Sequence, residues 1–135
     1  MKKKLSIVLL ILGTIVAFHP THSADHSIEQ QGMIKVTIMY PGGEGKTFDM
    51  DYYKTKHMPM LAKLFGDAMM KYEIDEGLSG RTPEDELPFL AIGYLYFNSI
   101  AAYGAVFKPN AETILNDIPN YTNSRPVVQF SKVVK

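Results

Sequence analysis

The chain has 135 residues, the size of one domain, with 14 basic residues against 14 acidic residues and no cysteine. The missing cysteine excludes disulfides, thiolate metal sites and a cysteine nucleophile. The formal net charge is zero, and no Lys/Arg cluster follows Lys4. The chain therefore lacks the basic surface that nucleic-acid-binding proteins need, and we expect no nucleic acid as a partner.

The N-terminal residues have the pattern of a secretory signal peptide. Lysines at positions 2–4 precede an uncharged apolar run from Leu5 to Phe18, and small residues follow as far as Ala24. A run of this length is shorter than the roughly 20 residues that cross a bilayer as a helix. We predict that residues 1–24 are removed and that the protein is exported, to the periplasm or outside the cell, with no membrane attachment afterwards. An uncleaved anchor is the alternative.

The folded domain is predicted to begin at residue 33. Residues 25–32 are polar and have no hydrophobic period, so we interpret them as a disordered tether. Residues 33–135 then form one domain. It opens with a strand from Met33 to Tyr40, in which apolar and polar side chains alternate.

A helix is predicted after this strand. Asp49 is placed to cap its first amide groups, and the helix is expected to end at about Phe65, before Gly66. Pro59 has no backbone N–H to donate, so we expect a kink or a restart around His57-Met58.

Two further strands are predicted, separated by an exposed loop. The second strand runs from Met69 to Glu76, and the loop from Gly77 to Pro88. The third strand, Phe89 to Phe97, is apolar on both faces. Both faces must therefore be covered, one by helices and the other by a second sheet or the wall of a cavity.

The order of elements predicts a ferredoxin-like α+β sandwich. Ser99 can cap a second helix to about Phe107, residues 111–116 can add a helical turn, and residues 127–134 form the last strand. The order is β-α-β-β-α-β. Right-handed crossovers then place both helices on one face of the sheet.

Two neighbouring motifs resemble the EthD family, which belongs to the dimeric α+β barrel superfamily. They are Phe48-Asp49-Met50-Asp51-Tyr52-Tyr53 and, shortly after, His57-Met58-Pro59. A weaker likeness continues through Ala91 to Phe97 and Thr122 to Gln129. The predicted export signal departs from the family, whose members are mainly cytoplasmic.

The resemblance implies a homodimer in which two sheets pack face to face into a barrel. The family is named for an accessory protein of ether degradation. Similar domains occur in lactone isomerases, decarboxylases and dehydratases that act on aromatic or polyketide-like molecules. Because the same fold supports several chemistries, the reaction has to be argued from the site.

His57 is the candidate catalytic residue. It is the one histidine of residues 33–135, and an imidazole exchanges protons near neutral pH. Tyr53 and Asp49 precede it at four-residue spacing, so the three side chains can form a catalytic row on one helix face. Two alternatives stay open: His57 can simply bond free backbone carbonyls at the helix break, and Asp49 can be only a helix cap.

Aromatic residues on the strands are candidates for binding a substrate. Tyr40, Tyr94, Tyr96 and Phe97 can line a pocket whose walls are otherwise apolar. The alternative is packing in a core or a dimer interface. Tyr94 and Tyr96 share the strand face opposite Phe97, so the set has to divide between the helix side and the barrel side.

We expect neither a metal nor a cofactor. One histidine in the domain does not provide a metal cluster, and seven of the eight methionines, all except the initiator Met1, occupy apolar positions typical of core filling. There is no glycine-rich nucleotide-binding motif. Because some members of the superfamily bind haem, haem with His57 as axial ligand stays as a remote option.

Two functions are compatible with these patterns. The first is an enzyme that moves a proton on a small oxygenated, cyclic or aromatic molecule, with His57 as the shuttle and Tyr53 or Tyr40 orienting a carbonyl or hydroxyl group. The second is a dimeric accessory protein that binds such a molecule without transforming it. Either would fit a role in the degradation or oxidation of small organic compounds.

Overall fold

The structure is a computed structural model that describes residues 32–135. The predicted signal peptide and nearly all of the predicted tether lie outside the described residues. Gly32 is already bonded to the domain, because its N–H donates to the carbonyl oxygen of Val133 at 2.8 Å.

Four antiparallel strands form one sheet, in the order β2-β3-β1-β4. The strands are β1 (Ile34–Pro41), β2 (Met69–Glu76), β3 (Phe89–Phe97) and β4 (Val127–Lys132). The predicted strand bounds agree with these to within about two residues. The strand order is that of the ferredoxin-like sandwich, so the predicted α+β fold is confirmed.

The first helical segment has a π-helical turn in its middle. Its parts are α1 (Met50–Tyr52), the π turn Tyr53–His57 and α2 (Met58–Phe65). The Met58 N–H donates to the Tyr53 carbonyl oxygen, five residues back, and Pro59 lies in the first turn of α2 where no N–H is needed. The predicted break before Pro59 is confirmed. It takes the form of a π turn, which inserts one extra residue into the helix.

The second long helix, α3 (Ile100–Asp117), is continuous through Pro109. The predicted division into a helix to Phe107 and a separate turn is therefore wrong. The Asn110 side-chain amide donates to the Val106 carbonyl oxygen at 2.8 Å, which gives a carbonyl near the proline a partner. The helix packs on the sheet along its length, and this tertiary support outweighs the single missing hydrogen bond.

Alternation along the strands separates two sheet faces. The helix face carries the buried side chains Val36, Tyr40, Leu95 and Phe97. None of the helices within residues 32–135 packs on the open face, where Tyr94 and Tyr96 pair with charged side chains. The open face of β3 is thus surrounded by charged side chains of the neighbouring strands, which the apolar sequence of β3 alone does not predict. No helix within residues 32–135 is long and apolar enough to cross a membrane.

Candidate active site

His57 is buried at the end of the π turn, with 3% of its surface exposed. Its Nδ1 lies 2.7 Å from Oδ2 of Asp117, the last residue of α3. An ionised carboxylate can only accept hydrogen bonds, so Nδ1 carries the proton and Nε2 is left with its lone pair. The two helical segments, far apart in the chain, are joined at this bond.

Asp117 is held by three donors. Besides His57, the hydroxyl of Tyr52 donates to Oδ1 at 2.7 Å, and the side-chain amide of Asn120 donates to Oδ1 at 2.9 Å. Burial works against the charge, but the three hydrogen bonds outweigh it and hold the pKa of Asp117 below its usual range. The carboxylate therefore stays ionised beside the imidazole.

A chain of two tyrosine hydroxyls continues from the other ring nitrogen. Nε2 of His57 lies 3.3 Å from the hydroxyl of Tyr121, which lies 2.8 Å from the hydroxyl of Tyr40. Since Nε2 is the acceptor, the first of these is a bond from Tyr121 to His57. At 3.3 Å it is the longest and weakest link of the chain.

The imidazole is neutral when the pH is near 7. Burial lowers the pKa of His57, and the hydrogen bond and charge of Asp117 offset this only in part. Burial is also the main reason that the pKa values of Tyr40 and Tyr121 are raised. The site thus holds one neutral base, one carboxylate behind it and two protonated phenols.

Tyr121 is fixed by contacts between two loops. The Asp49 N–H donates to the Tyr121 carbonyl oxygen at 2.7 Å, and Phe48 forms an isolated β-bridge with Thr122. The Thr122 hydroxyl donates to the Thr47 carbonyl oxygen, also at 2.7 Å. These bonds hold the Tyr121 ring 4.6 Å from the imidazole, measured between ring centroids.

Tyr53 stacks on His57 but does not bond it. The ring centroids are 5.4 Å apart and the planes differ by 16°. Its hydroxyl points at β3, where a Cβ on Gly93 would lie 2.2 Å from it. Within residues 32–135 it is the one fully buried side-chain polar atom with no hydrogen-bond partner. Tyr53 therefore positions the imidazole by packing.

An apolar cavity of about 90 Å³ lies between the sheet and the helices, and His57 and Tyr40 are among its walls. Most other walls are aliphatic or aromatic, including Leu61, Leu95 and Ile114. The cavity is smaller than the 150 Å³ or so of an engineered cavity that binds benzene. It can hold a short aliphatic group without rearrangement, but not a whole aromatic ring.

The structure divides the predicted site residues. His57, Tyr53 and Tyr40 come together, whereas Tyr94 and Tyr96 lie on the open face of the sheet. Their alternation predicts that they lie opposite Phe97, and the structure shows which side is the open one. Hydrogen bonds and burial raise the pKa of the Tyr94 hydroxyl to about 12, with burial the larger cause.

Two predicted residues have structural positions instead. The Asp49 carboxylate accepts the Tyr52 N–H at 2.9 Å as an N-cap, so Asp117 replaces it as the group that orients the imidazole. The reason is geometric, because a side chain committed to its own helix terminus is not free to reach the next turn. Phe97 packs edge-on against Phe65 in the core.

Asp117, Tyr121 and Tyr52 were missed by sequence reasoning. Asp117 carried a usable signal, since an acid in the last turn of a helix is opposed by the helix dipole and needs another reason to be there. No comparable signal marks Tyr121, whose position depends on the contact between the two loops.

The described residues do not hold a group of three or more side chains suited to a metal ion. Haem does not fit at His57, because both ring nitrogens are engaged and the cavity of about 90 Å³ is far smaller than even the roughly 300 Å³ of a small drug site. The remote haem option is therefore not supported by the site.

Comparison with solved structures gives the same fold. An EthD-like protein from Ralstonia eutropha JMP134 is 40% identical with a TM-score of 0.74, and the match covers 78% of this chain and 95% of that one. A dimeric protein of unknown function with a ferredoxin-like fold, from Bacteroides fragilis NCTC 9343, is 12% identical with a TM-score of 0.52, over 76% of this chain and 97% of that one.

A third structure has a similarly distant sequence. It is an ethyl tert-butyl ether degradation (EthD) family protein from Bacillus halodurans C-125, 13% identical with a TM-score of 0.52, over 74% of this chain and 97% of that one. No curated protein matches the chain. The EthD domain family model matches residues 43–125, which include His57, Asp117 and Tyr121 but not Tyr40. The chain belongs to the EthD family.

Proposed function

We propose that this protein moves a proton on a small, oxygenated and largely apolar molecule, with His57 as the general base. The observation that carries the proposal is the bond between His57 Nδ1 and Asp117 beside an apolar cavity. A half-buried carboxylate behind a buried imidazole fixes the tautomer and stabilises the imidazolium that forms on proton transfer.

The roles of the other groups follow from their hydrogen bonds. A polar group of the substrate replaces the weak bond between Tyr121 and Nε2, and Nε2 takes a proton from a carbon or oxygen of the substrate. The proton stays on the imidazole, next to Asp117, until it returns to another atom. The hydroxyls of Tyr121 and Tyr40, which stay protonated, donate to the oxygen on which negative charge develops.

A proton-exchange assay tests this role without knowledge of the natural substrate. Cyclopentanone and γ-butyrolactone would be incubated with the protein in D2O, and loss of the α-proton signal followed by NMR. We expect wild-type protein to accelerate the exchange, and His57→Gln to remove the acceleration. Loss of the Asp117 carboxylate in Asp117→Asn should cost about 100-fold or more, the usual scale of general base catalysis.

Tyrosine variants provide the matched control. Tyr121→Phe should slow the exchange, while Tyr72→Phe, on an edge strand outside the cavity, should not. Equal exchange by folded His57→Gln and wild-type protein would contradict the proposal. Saturable binding of the same molecules without exchange would instead support a non-catalytic accessory protein, the second function considered.

We also propose that the protein is a homodimer formed through the open face of the sheet. The distant Bacteroides fragilis relative is described as dimeric, which supports this assembly. Met39 and Ile92 are paired near the centre of the open face and provide apolar area for a second sheet. Light scattering should give the mass of a dimer, and Ile92→Glu should convert it to a monomer.

Export is proposed from the pattern of residues 1–24 alone. Expression of the full chain in its host, followed by fractionation and intact mass measurement, tests this proposal. A mature form beginning near residue 25 in an exported fraction supports it, and a full-length protein retained in the cytoplasm contradicts it. We also propose a role in breaking down small organic compounds, which follows from the proposed substrate class.

A further inference from the structure

A groove of about 640 Å³ lies outside the His57 cavity, along the chain between α3 and β4. Leu115, Ile118, Pro126 and Val128 line both spaces. Since the same side chains form a wall of each, the groove and the cavity adjoin. A molecule that reaches His57 with one end can therefore lie in the groove with the other.

Most polar side chains of the groove are already used. The Thr122 hydroxyl donates to Thr47, the Asn123 side chain bonds Thr47 and Gly45, and the Ser124 hydroxyl donates to Pro41. These bonds hold the loop that carries Tyr121. They leave few side-chain donors for a ligand in the groove.

Arg125 is the exception. It lines the groove, is exposed, and takes part in none of the ion pairs found within residues 32–135. Two of the described lysines, Lys54 and Lys71, are by contrast paired with carboxylates on their own segments. The groove thus combines apolar walls with one uncommitted guanidinium.

We propose that Arg125 binds the carboxylate of the molecule whose other end, which carries the reacting oxygen, enters the cavity beside His57. The substrate class is therefore a small aliphatic or partly cyclic carboxylic acid, an inference that rests on the proposed function of His57. A guanidinium presents two parallel N–H donors that match a carboxylate, which a lysine ammonium does not.

The volumes of the cavity and the groove determine where each part of the substrate can lie. A cavity of about 90 Å³ takes only a short, largely apolar end, so an aromatic ring or a longer chain has to lie in the groove. The carboxylate then stays at the solvent side, where its charge needs little desolvation. This arrangement keeps the anion away from the Asp117 carboxylate, which would repel it.

Hexanoate and hexanamide are suitable probes, because they differ mainly in the charge of one end. Binding to the full mature protein would be measured by calorimetry or by NMR chemical-shift titration at low salt. We expect hexanoate to bind about tenfold more tightly than hexanamide, a preference that corresponds to about 1.4 kcal/mol. The preference should shrink as salt is raised, because the guanidinium is exposed.

Three variants locate the preference. Arg125→Gln should abolish it, and Arg125→Lys should keep only part of it because the two-donor geometry is lost. Arg81→Gln is the matched control, since Arg81 is the other arginine of the chain and lies in the exposed loop between β2 and β3. His57→Gln should retain the preference, because His57 contacts the end of the ligand that lies away from Arg125.

The outcomes separate this inference from the proton-transfer proposal. A hexanoate preference that survives Arg125→Gln, or that Arg81→Gln removes equally, overturns the assignment of Arg125. So does the absence of any preference in wild-type protein, even if that protein exchanges protons of neutral ketones. Conversely, if the preference is lost only in the Arg125 variants, the assignment of Arg125 stands. This holds even if His57→Gln leaves proton exchange unchanged.

Discussion

The two faces of the sheet each hold a carboxylate bonded to a tyrosine hydroxyl, yet the two pairs have different surroundings. On the helix side, Asp117 accepts from Tyr52 at 2.7 Å, and its side chain is 14% exposed. On the open face, Glu73 accepts from Tyr96 at 2.6 Å, and its side chain is 48% exposed. The bond lengths are nearly equal, so geometry alone does not rank them.

The charged partners differ in the same way. His57, behind Asp117, is 3% exposed, whereas Lys71, beside Glu73, is 32% exposed and also lies over the ring of Tyr96. Water screens the open-face group and can replace its bonds. On the helix side His57 is excluded from water and Asp117 is half-buried, although Asn120 is exposed, so the bond between the imidazole and the carboxylate has to be made within the protein. Burial, and not bond length, therefore distinguishes the candidate active site from the open-face group.

The strongest test of this comparison removes each carboxylate in turn. Asp117→Ala leaves the buried His57 and the half-buried Tyr52 without an acceptor, whereas the exposed Asn120 can bond water, and we expect the variant to lower the free energy of unfolding by about 3 kcal/mol. Glu73→Ala should lower it by less than about 1 kcal/mol. Urea denaturation of both variants checks this, and equal losses would contradict the assigned difference between the faces.

The backbone of β3 provides a second test on the helix side. Gly93→Ala would place a Cβ 2.2 Å from the Tyr53 hydroxyl, so the ring stacked on His57 has to move. We expect a loss of about 2 kcal/mol from this overpacking.

Gly104 is the matched control for that substitution. It lies within α3 and has nothing within 4 Å of an added Cβ, so Gly104→Ala should be neutral or stabilising by up to about 1 kcal/mol. Thermal denaturation of the two alanine variants would separate them. If Gly93→Ala were as stable as wild-type protein, Tyr53 would not be confined as the geometry indicates.

The pH dependence of the free energy of unfolding gives a further test of the helix-side group. Because burial lowers the pKa of His57 in the folded state below its ordinary 6.5, the unfolded chain binds a proton first as the pH falls. The contribution of the neutral imidazole is therefore complete above pH 6.5 and declines below it. Asp117, whose pKa is lowered from 3.8, adds its own loss only at more acidic pH.

Urea denaturation at pH 7.5 and 5.5 measures this slope. We expect wild-type protein to be less stable at pH 5.5, and His57→Gln to have a smaller difference between the two values. A Glu73→Gln variant on the open face should keep the wild-type difference. Stability that rises on acidification would mean that Asp117 dominates and that the imidazole is charged in the folded protein.

The smallest effect is expected at the tyrosine hydroxyls. Tyr53→Phe removes a buried hydroxyl that has no hydrogen-bond partner, so stability should be unchanged or increase by up to about 1 kcal/mol. Tyr40→Phe removes the bond to Tyr121 and should cost about 1 kcal/mol. A larger loss in Tyr53→Phe than in Tyr40→Phe, measured by chemical denaturation, would contradict this ranking.

Much of the fold could be predicted because its signals are local. Alternation placed β1 and β2, an uninterrupted apolar run placed β3, and β4 was placed after Pro126. Ser99 and Asp49 were placed as helix caps, and Pro59 marked the break beside His57. Pro109 is the local signal that misled, because a helix packed on a sheet tolerates one missing bond that an isolated helix would not. Pro109 and Asp117 illustrate the same point: tertiary contacts determine the structure where the local preferences of the sequence are weak.

The sequence by itself determined the element order, the family motif and His57 as the candidate base. Only the tertiary structure decided that Asp117, 60 positions away, and not Asp49 orients the imidazole, and that Tyr94 and Tyr96 lie apart from it. The physical reason is that a periodic pattern reports which face a side chain takes on its own element. Which elements meet, and which polar groups water can reach there, depends on packing between segments distant in the chain.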